Sequence, residues 1–138
     1  MDERSPEKSL KQFISDMNAW ETWAKQNDPR EPTEEQWQSY IKICKEKLDS
    51  IFNELCTHKR RVYRRQCDFG DPPEYQPDLE DIIEVTALSS SRVEIITQEK
   101  SGLENRNKYI LLNRQGKWLL DNKQWFDNID KQWQTGIL

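Results

Sequence analysis

His58 is the only imidazole in a chain of 138 residues, and that scarcity bounds the chemistry from the outset. A serine or cysteine nucleophile ordinarily hands its proton to an adjacent imidazole, so one histidine leaves room for a single such device. His58 stands where a long helical pattern ends, and an imidazole there more commonly meets the last helical carbonyls than a substrate. Cys56 and His58, followed by Cys67 and joined by Cys44, are four conceivable zinc ligands, but they lack the paired C-x-x-C spacing of structural sites. No phosphate-binding glycine loop, G-x-S-x-G or H-E-x-x-H occurs, and Gly70, Gly102, Gly116 and Gly136 stand singly, as turn residues do. Paired carboxylates such as Glu80 and Asp81 would do acid–base work only if burial raised one pKa, and among 25 acids the solvated state is the default. Neither catalysis nor a bound cofactor or metal is expected.

Charge is more informative than any catalytic motif. Lys59, Arg60, Arg61, Arg64 and Arg65 cluster within seven residues, whereas residues 66 to 91 hold seven acids and no base. The simpler outcome is that the runs neutralise each other through exposed pairs of little worth. If folding separates them, the acids Asp68, Asp71, Glu74, Asp78, Glu80, Asp81 and Glu84 present a focused negative field suited to a basic protein surface. The net charge of -4 makes direct binding to nucleic acid an unfavoured reading. Of the six tryptophans, Trp20, Trp37, Trp118 and Trp125 sit at periodic positions expected of a core, while Trp23 and Trp133 fall outside the stripes, where an aromatic residue can anchor an interface.

The elements that must position these residues follow from hydrophobic periodicity. Leu10, Phe13, Ile14, Met17, Trp20 and Ala24 recur every three or four residues and predict a helix from Pro6 to about Gln26. Pro29 and Pro32 end it. Thr33 and Gln36 form a capping-box pattern that opens a second helix to about Thr57, striped by Trp37, Tyr40, Ile41, Cys44, Leu48, Ile51, Phe52 and Leu55. Residues 59 to 80, rich in proline, read as a short strand and a long loop. Strands are predicted at Ile82–Leu88, Arg92–Thr97, Lys108–Leu112 and Lys117–Leu120, with Asn113–Gly116 as a hairpin loop. Helices first and hairpins later describe an α+β class, two N-terminal helices packed on a curved antiparallel sheet, in one domain over residues 1–138 with residues 1–8 a candidate flexible N-terminus. No apolar stretch is long enough to span a membrane and no cleavable secretion signal is evident. The odd cysteine count, with Cys44 and Cys56 too far apart on one helix to pair, fits a reducing cytoplasm.

The arrangement resembles the nuclear-transport-factor-two-like fold, a cone of helices in a curved sheet. Within it, Phe69-Gly70-Asp71-Pro72-Pro73-Glu74-Tyr75, Glu80-Asp81-Ile82-Ile83-Glu84-Val85 and Gly116-Lys117-Trp118-Leu119-Leu120-Asp121 are similar to segments of bacterial immunity proteins of Rhs-type polymorphic toxin systems. The ending from Lys123-Gln124-Trp125-Phe126-Asp127 to Trp133-Gln134-Thr135-Gly136-Ile137-Leu138 is similar too. The resemblance covers about residues 10 to 138 and implies a cytoplasmic antitoxin that binds the C-terminal toxin domain of a delivered effector, and it leaves homodimerisation through the open sheet face open. The candidate toxin-binding residues are Glu74, Tyr75, Asp78, Glu80, Asp81 and Glu84. The same cone also houses small-molecule binders and isomerase- or dehydratase-like enzymes, the alternative reading, for which Tyr40, Tyr63 and Tyr109 are candidate cavity linings.

Overall fold

The computed structural model describes residues 4–59 and 73–138. Helix α1 is Pro6–Gln26. Ser5 caps it by accepting from the Lys8 amide at 3.2 Å, and Pro6 occupies a first-turn position where no donor is needed. The helix thus opens at Pro6, where the periodicity predicts it. Its buried face carries the predicted stripe and also Ser9 and Glu21. Helix α2 is Glu34–Leu55, opened by the reciprocal pair: Thr33 Oγ1 accepts from the Gln36 amide (3.1 Å) and Gln36 Oε1 from the Thr33 amide (3.0 Å). Its buried side is narrower than its apolar stripe, with Tyr40, Cys44, Leu48 and Leu55 buried and Trp37 39% exposed, so Trp37 is not a core residue.

Five strands follow as an antiparallel meander: β1 (Glu80–Ser89), β2 (Arg92–Glu99), β3 (Arg106–Arg114), β4 (Lys117–Asp127) and β5 (Gln132–Thr135), neighbours in that order. The core lies between the helices and one sheet face, where Phe13, Met17, Leu48, Ile95, Tyr109, Leu111 and Leu120 are fully or almost fully buried. Burying each such side chain contributes roughly 1.5–3 kcal/mol relative to exposure. Ile110, on the opposite face of β3, is buried as well, so the central strand is covered on both sides.

Two features depart from the sequence expectation. The β3–β4 loop is two residues, Gln115 and Gly116, with φ of 56° and 85°; positive values at both central positions match the right-handed twist of the flanking strands. Beyond it, β4 runs on to Asp127 and pairs with β5, because backbone pairing carries it through Asn122-Lys123-Gln124, a polar run without strand-like alternation. One extra residue, Asp121, bulges out of β4 between the pairs Ile110–Asn122 and Leu111–Leu120. A bulge shifts the two-residue alternation by one. Leu120 faces the core before it, and Lys123 and Trp125 face inward after it. Asp121 is itself held at the end of α2, accepting from Thr57 Oγ1 at 2.7 Å and pairing with Lys59 Nζ at 3.1 Å.

Cys56 is buried and outside any disulfide, whereas Cys44 is disulfide-bonded. The His58 ring sits 2.9 Å from the carbonyl of Asn53 in the last turn of α2, the helix-end contact expected of it. Among the described residues no helix is long and apolar enough to cross a membrane. Arg60, Arg61, Tyr63, Arg64, Arg65, Cys67, Asp68 and Asp71, and with them the basic run and the short strand expected there, lie outside the described residues.

Candidate functional site

Inward-facing positions change character along the strands. At one end Val93, Leu111 and Leu120 form a row of apolar side chains across β2, β3 and β4. The next row is Ile95, Tyr109 and Lys123, and the one after it Thr97, Asn107 and Trp125. Last comes the pair Glu80 and Glu99 across β1 and β2. The sheet thus grades from a dry end to a polar end, and at the polar end opens a cavity of about 560 Å³.

Its polar floor is a connected network. Glu80 Oε2 accepts from Tyr109 Oη (2.9 Å), Thr97 Oγ1 (2.5 Å) and Asn107 Nδ2 (3.3 Å), and Asn107 Nδ2 also donates to Glu99 Oε2 at 2.7 Å. Burial pushes the Tyr109 phenol well above its ordinary range, and the neighbouring Glu80 charge adds to it. The Glu99 carboxyl is raised chiefly by burial; the Asn107 bond opposes this, the Glu80 charge reinforces it, and Lys123 and the Asn105 amide oppose it. The ammonium of the buried Lys123 lies 4.5 Å from the Tyr75 ring centroid and 5.5 Å from that of Tyr109, with Glu74 at 3.7 Å.

One rim of the cavity is clamped from α1. Glu21, fully buried, accepts from the Glu74 amide (3.1 Å) and the Tyr75 amide (3.0 Å), and Asn18 Nδ2 donates to the Tyr75 carbonyl at 2.7 Å. These bonds satisfy backbone groups that no strand partner reaches. Gly136 also lines the cavity, and its amide donates to the Lys123 carbonyl at 2.8 Å; a Cβ there would meet that oxygen at 3.1 Å, a close approach that favours glycine.

The six candidate contact residues divide between surface and interior. Glu74, Asp78, Asp81 and Glu84 are exposed, beginning at the cavity rim and continuing through a 3-10 turn at Pro77–Leu79 into β1. Tyr75 and Glu80 are instead buried, Tyr75 edge-on to Phe13 at 5.4 Å and Glu80 as the acceptor just described. Asp81 pairs with Lys100 at 3.1 Å, but both side chains are half exposed and the pair is weak. Sequence reasoning missed Glu21, Glu99, Asn107 and Lys123. The signal for Glu99 was present in the alternation Val93, Ile95, Thr97, Glu99, one face of one strand. Trp125, expected in the core, is 37% exposed on the cavity wall. Trp23 stacks on Tyr40 at 6.1 Å, and Trp133 packs edge-on to Phe126 at 5.3 Å beneath Lys108. Tyr40 is no cavity lining: its hydroxyl donates to the Ala24 carbonyl at 2.6 Å and ties α2 to α1.

Comparison with known proteins adds two findings. The family model described as NTF2 fold immunity protein matches residues 5–136. Immunity protein RhsIA of Dickeya dadantii (strain 3937) is 34% identical over 131 residues, 92% of this chain and 91% of that protein. No solved structure matches.

Proposed function

This chain belongs to the NTF2 fold immunity protein family, and from that premise we propose that it protects the producing cell by binding and neutralising the toxin domain of an Rhs-type effector. The observation that carries this reading is the match along nearly the whole chain to immunity proteins, one of them named for an Rhs system. The exposed acids Glu74, Asp78, Asp81 and Glu84 support a docking surface that steers a basic partner. A toxin acting on nucleic acid carries such a surface for its own substrate, and the acidic strip would occupy it. Protection then needs no chemistry from this chain and takes place in the cytoplasm, where the toxin acts.

The polar cavity favours a second reading, a small-molecule binder or enzyme of the same cone, because a carboxyl with a raised pKa faces it. Co-expression with the toxin domain encoded beside the gene separates the two. Cell survival together with a stoichiometric complex on size exclusion is the expected result. Death, or survival without a complex, would remove direct binding and leave the cavity reading. The free protein on the same column also reports whether two copies pair.

A further inference from the structure

We infer that the cavity at the polar end of the sheet is a receptor for a cationic side chain, an arginine or lysine that the toxin domain inserts beside Trp125 and Glu99. The inference rests on the immunity reading and deepens it. Among the described lining residues the charged groups are Glu74, Glu99 and Lys123, two acids against one base. Lys123 is already engaged, its ammonium turned toward the Tyr75 and Tyr109 rings and toward Glu74. Glu74 and Lys123 pair with each other, so among the described lining residues Glu99 is the remaining charged group, and Glu80 in the floor network carries the same sign. Trp125 supplies an indole face on the wall, the best aromatic partner for a guanidinium or ammonium. Pro73, Leu103 and Ile137 supply apolar wall against which the methylenes of a long basic side chain can lie. About 560 Å³ leaves room for such a side chain and part of the loop that presents it.

Position supports the same occupant. Glu74 belongs both to the rim of the cavity and to the acidic strip that runs on through Asp78 and Asp81. A basic surface drawn to the strip arrives with its side chains at the opening. Glu99 is held half-buried among Glu80, Asn107 and Lys123, where its charge is less well solvated than in water and a bound cation would compensate it.

The test uses the whole protein with two probes and two variants. Nα-acetyl-arginine methylamide is titrated into labelled protein while the Trp125 indole and Asn107 side-chain amide resonances are followed, with Nα-acetyl-glutamate methylamide as the opposite charge. Both resonances should move with the arginine probe only, and the movement should be lost in Glu99→Gln, a near-isosteric change that keeps an acceptor for Asn107. Affinity for the toxin domain should fall about tenfold or more in Glu99→Gln and in Trp125→Ala, with circular dichroism confirming the fold. Shifts with the glutamate probe alone would make the cavity an anion site on Lys123 and overturn the inference. A wild-type complex that both variants form with equal affinity would overturn it while the immunity reading stands. A wild-type protein that forms no complex with the toxin overturns both.

Discussion

Glu99 and Glu80 lie side by side on neighbouring strands and have different supports. Glu80 accepts three hydrogen bonds inside the core, whereas Glu99 takes one side-chain bond from Asn107 at the edge of the cavity. Burial therefore dominates at Glu99 and raises its pKa above the ordinary 4.5. The folded state holds that proton more tightly than the unfolded chain does, so the stability Glu99 contributes is full below about 4.5 and is lost as pH rises through the folded value. Glu99→Gln mimics the protonated form. It is expected to be more stable than wild type at neutral pH, by at most about 1 kcal/mol because the carboxyl is half exposed and screened. Urea denaturation across pH checks this: the gap should close as pH falls toward 4.5. A gap unchanged with pH would show that ionisation at Glu99 is not its source.

At the scale of elements, two local devices set the frame. The Thr33–Gln36 capping box starts α2 after the Pro29–Pro32 break, satisfying amide donors that the helix itself leaves open. Thr33→Ala is expected to lower unfolding free energy by about 1 kcal/mol in a chemical melt, and an effect below a few tenths would mean that packing of Tyr40, Cys44 and Leu48 fixes the helix start without it. The second device, the Asp121 bulge, is less local. It changes which β4 residues face inward, and so brings Lys123 and Trp125 to the cavity from positions that a regular strand would turn outward. Thr57 and Lys59, at the end of α2, hold Asp121 from outside the sheet.

For the whole molecule, separation of charge matters more than its total. A net charge of -4 on 138 residues is modest, but four exposed acids stand together along the cavity rim and β1. Reversing Asp78, Asp81 and Glu84 to lysine is expected to slow association with the toxin domain about tenfold or more at low ionic strength, with most of the difference gone at high salt. Stopped-flow or surface-binding kinetics at two salt concentrations would show it. Unchanged association at low salt would move the docking surface elsewhere on the protein. Glu80 is left out of that set because its carboxylate is spoken for inside the core.

The sequence by itself determined both helices, the cap that opens the second, the order of the first four strands and the family, because those follow from periodicity, capping residues and short motifs carried within a few residues of one another. It also placed Glu74, Asp78, Asp81 and Glu84 in one acidic segment. Only the tertiary structure decided that Tyr75 and Glu80, from the same segment, are buried, since their fate depends on partners 54 residues away at Glu21 and 29 away at Tyr109. The cavity belongs wholly to the second kind. Glu74, Glu99, Asn107, Lys123 and Trp125 come from a loop and three strands, and no local pattern joins them. Strand register brings Asn107 beside Trp125, and a single bulged residue decides the face that Lys123 takes. Register and bulges are settled by pairing between distant segments, which is why a reading along the chain reached the surface charge but not the pocket it borders.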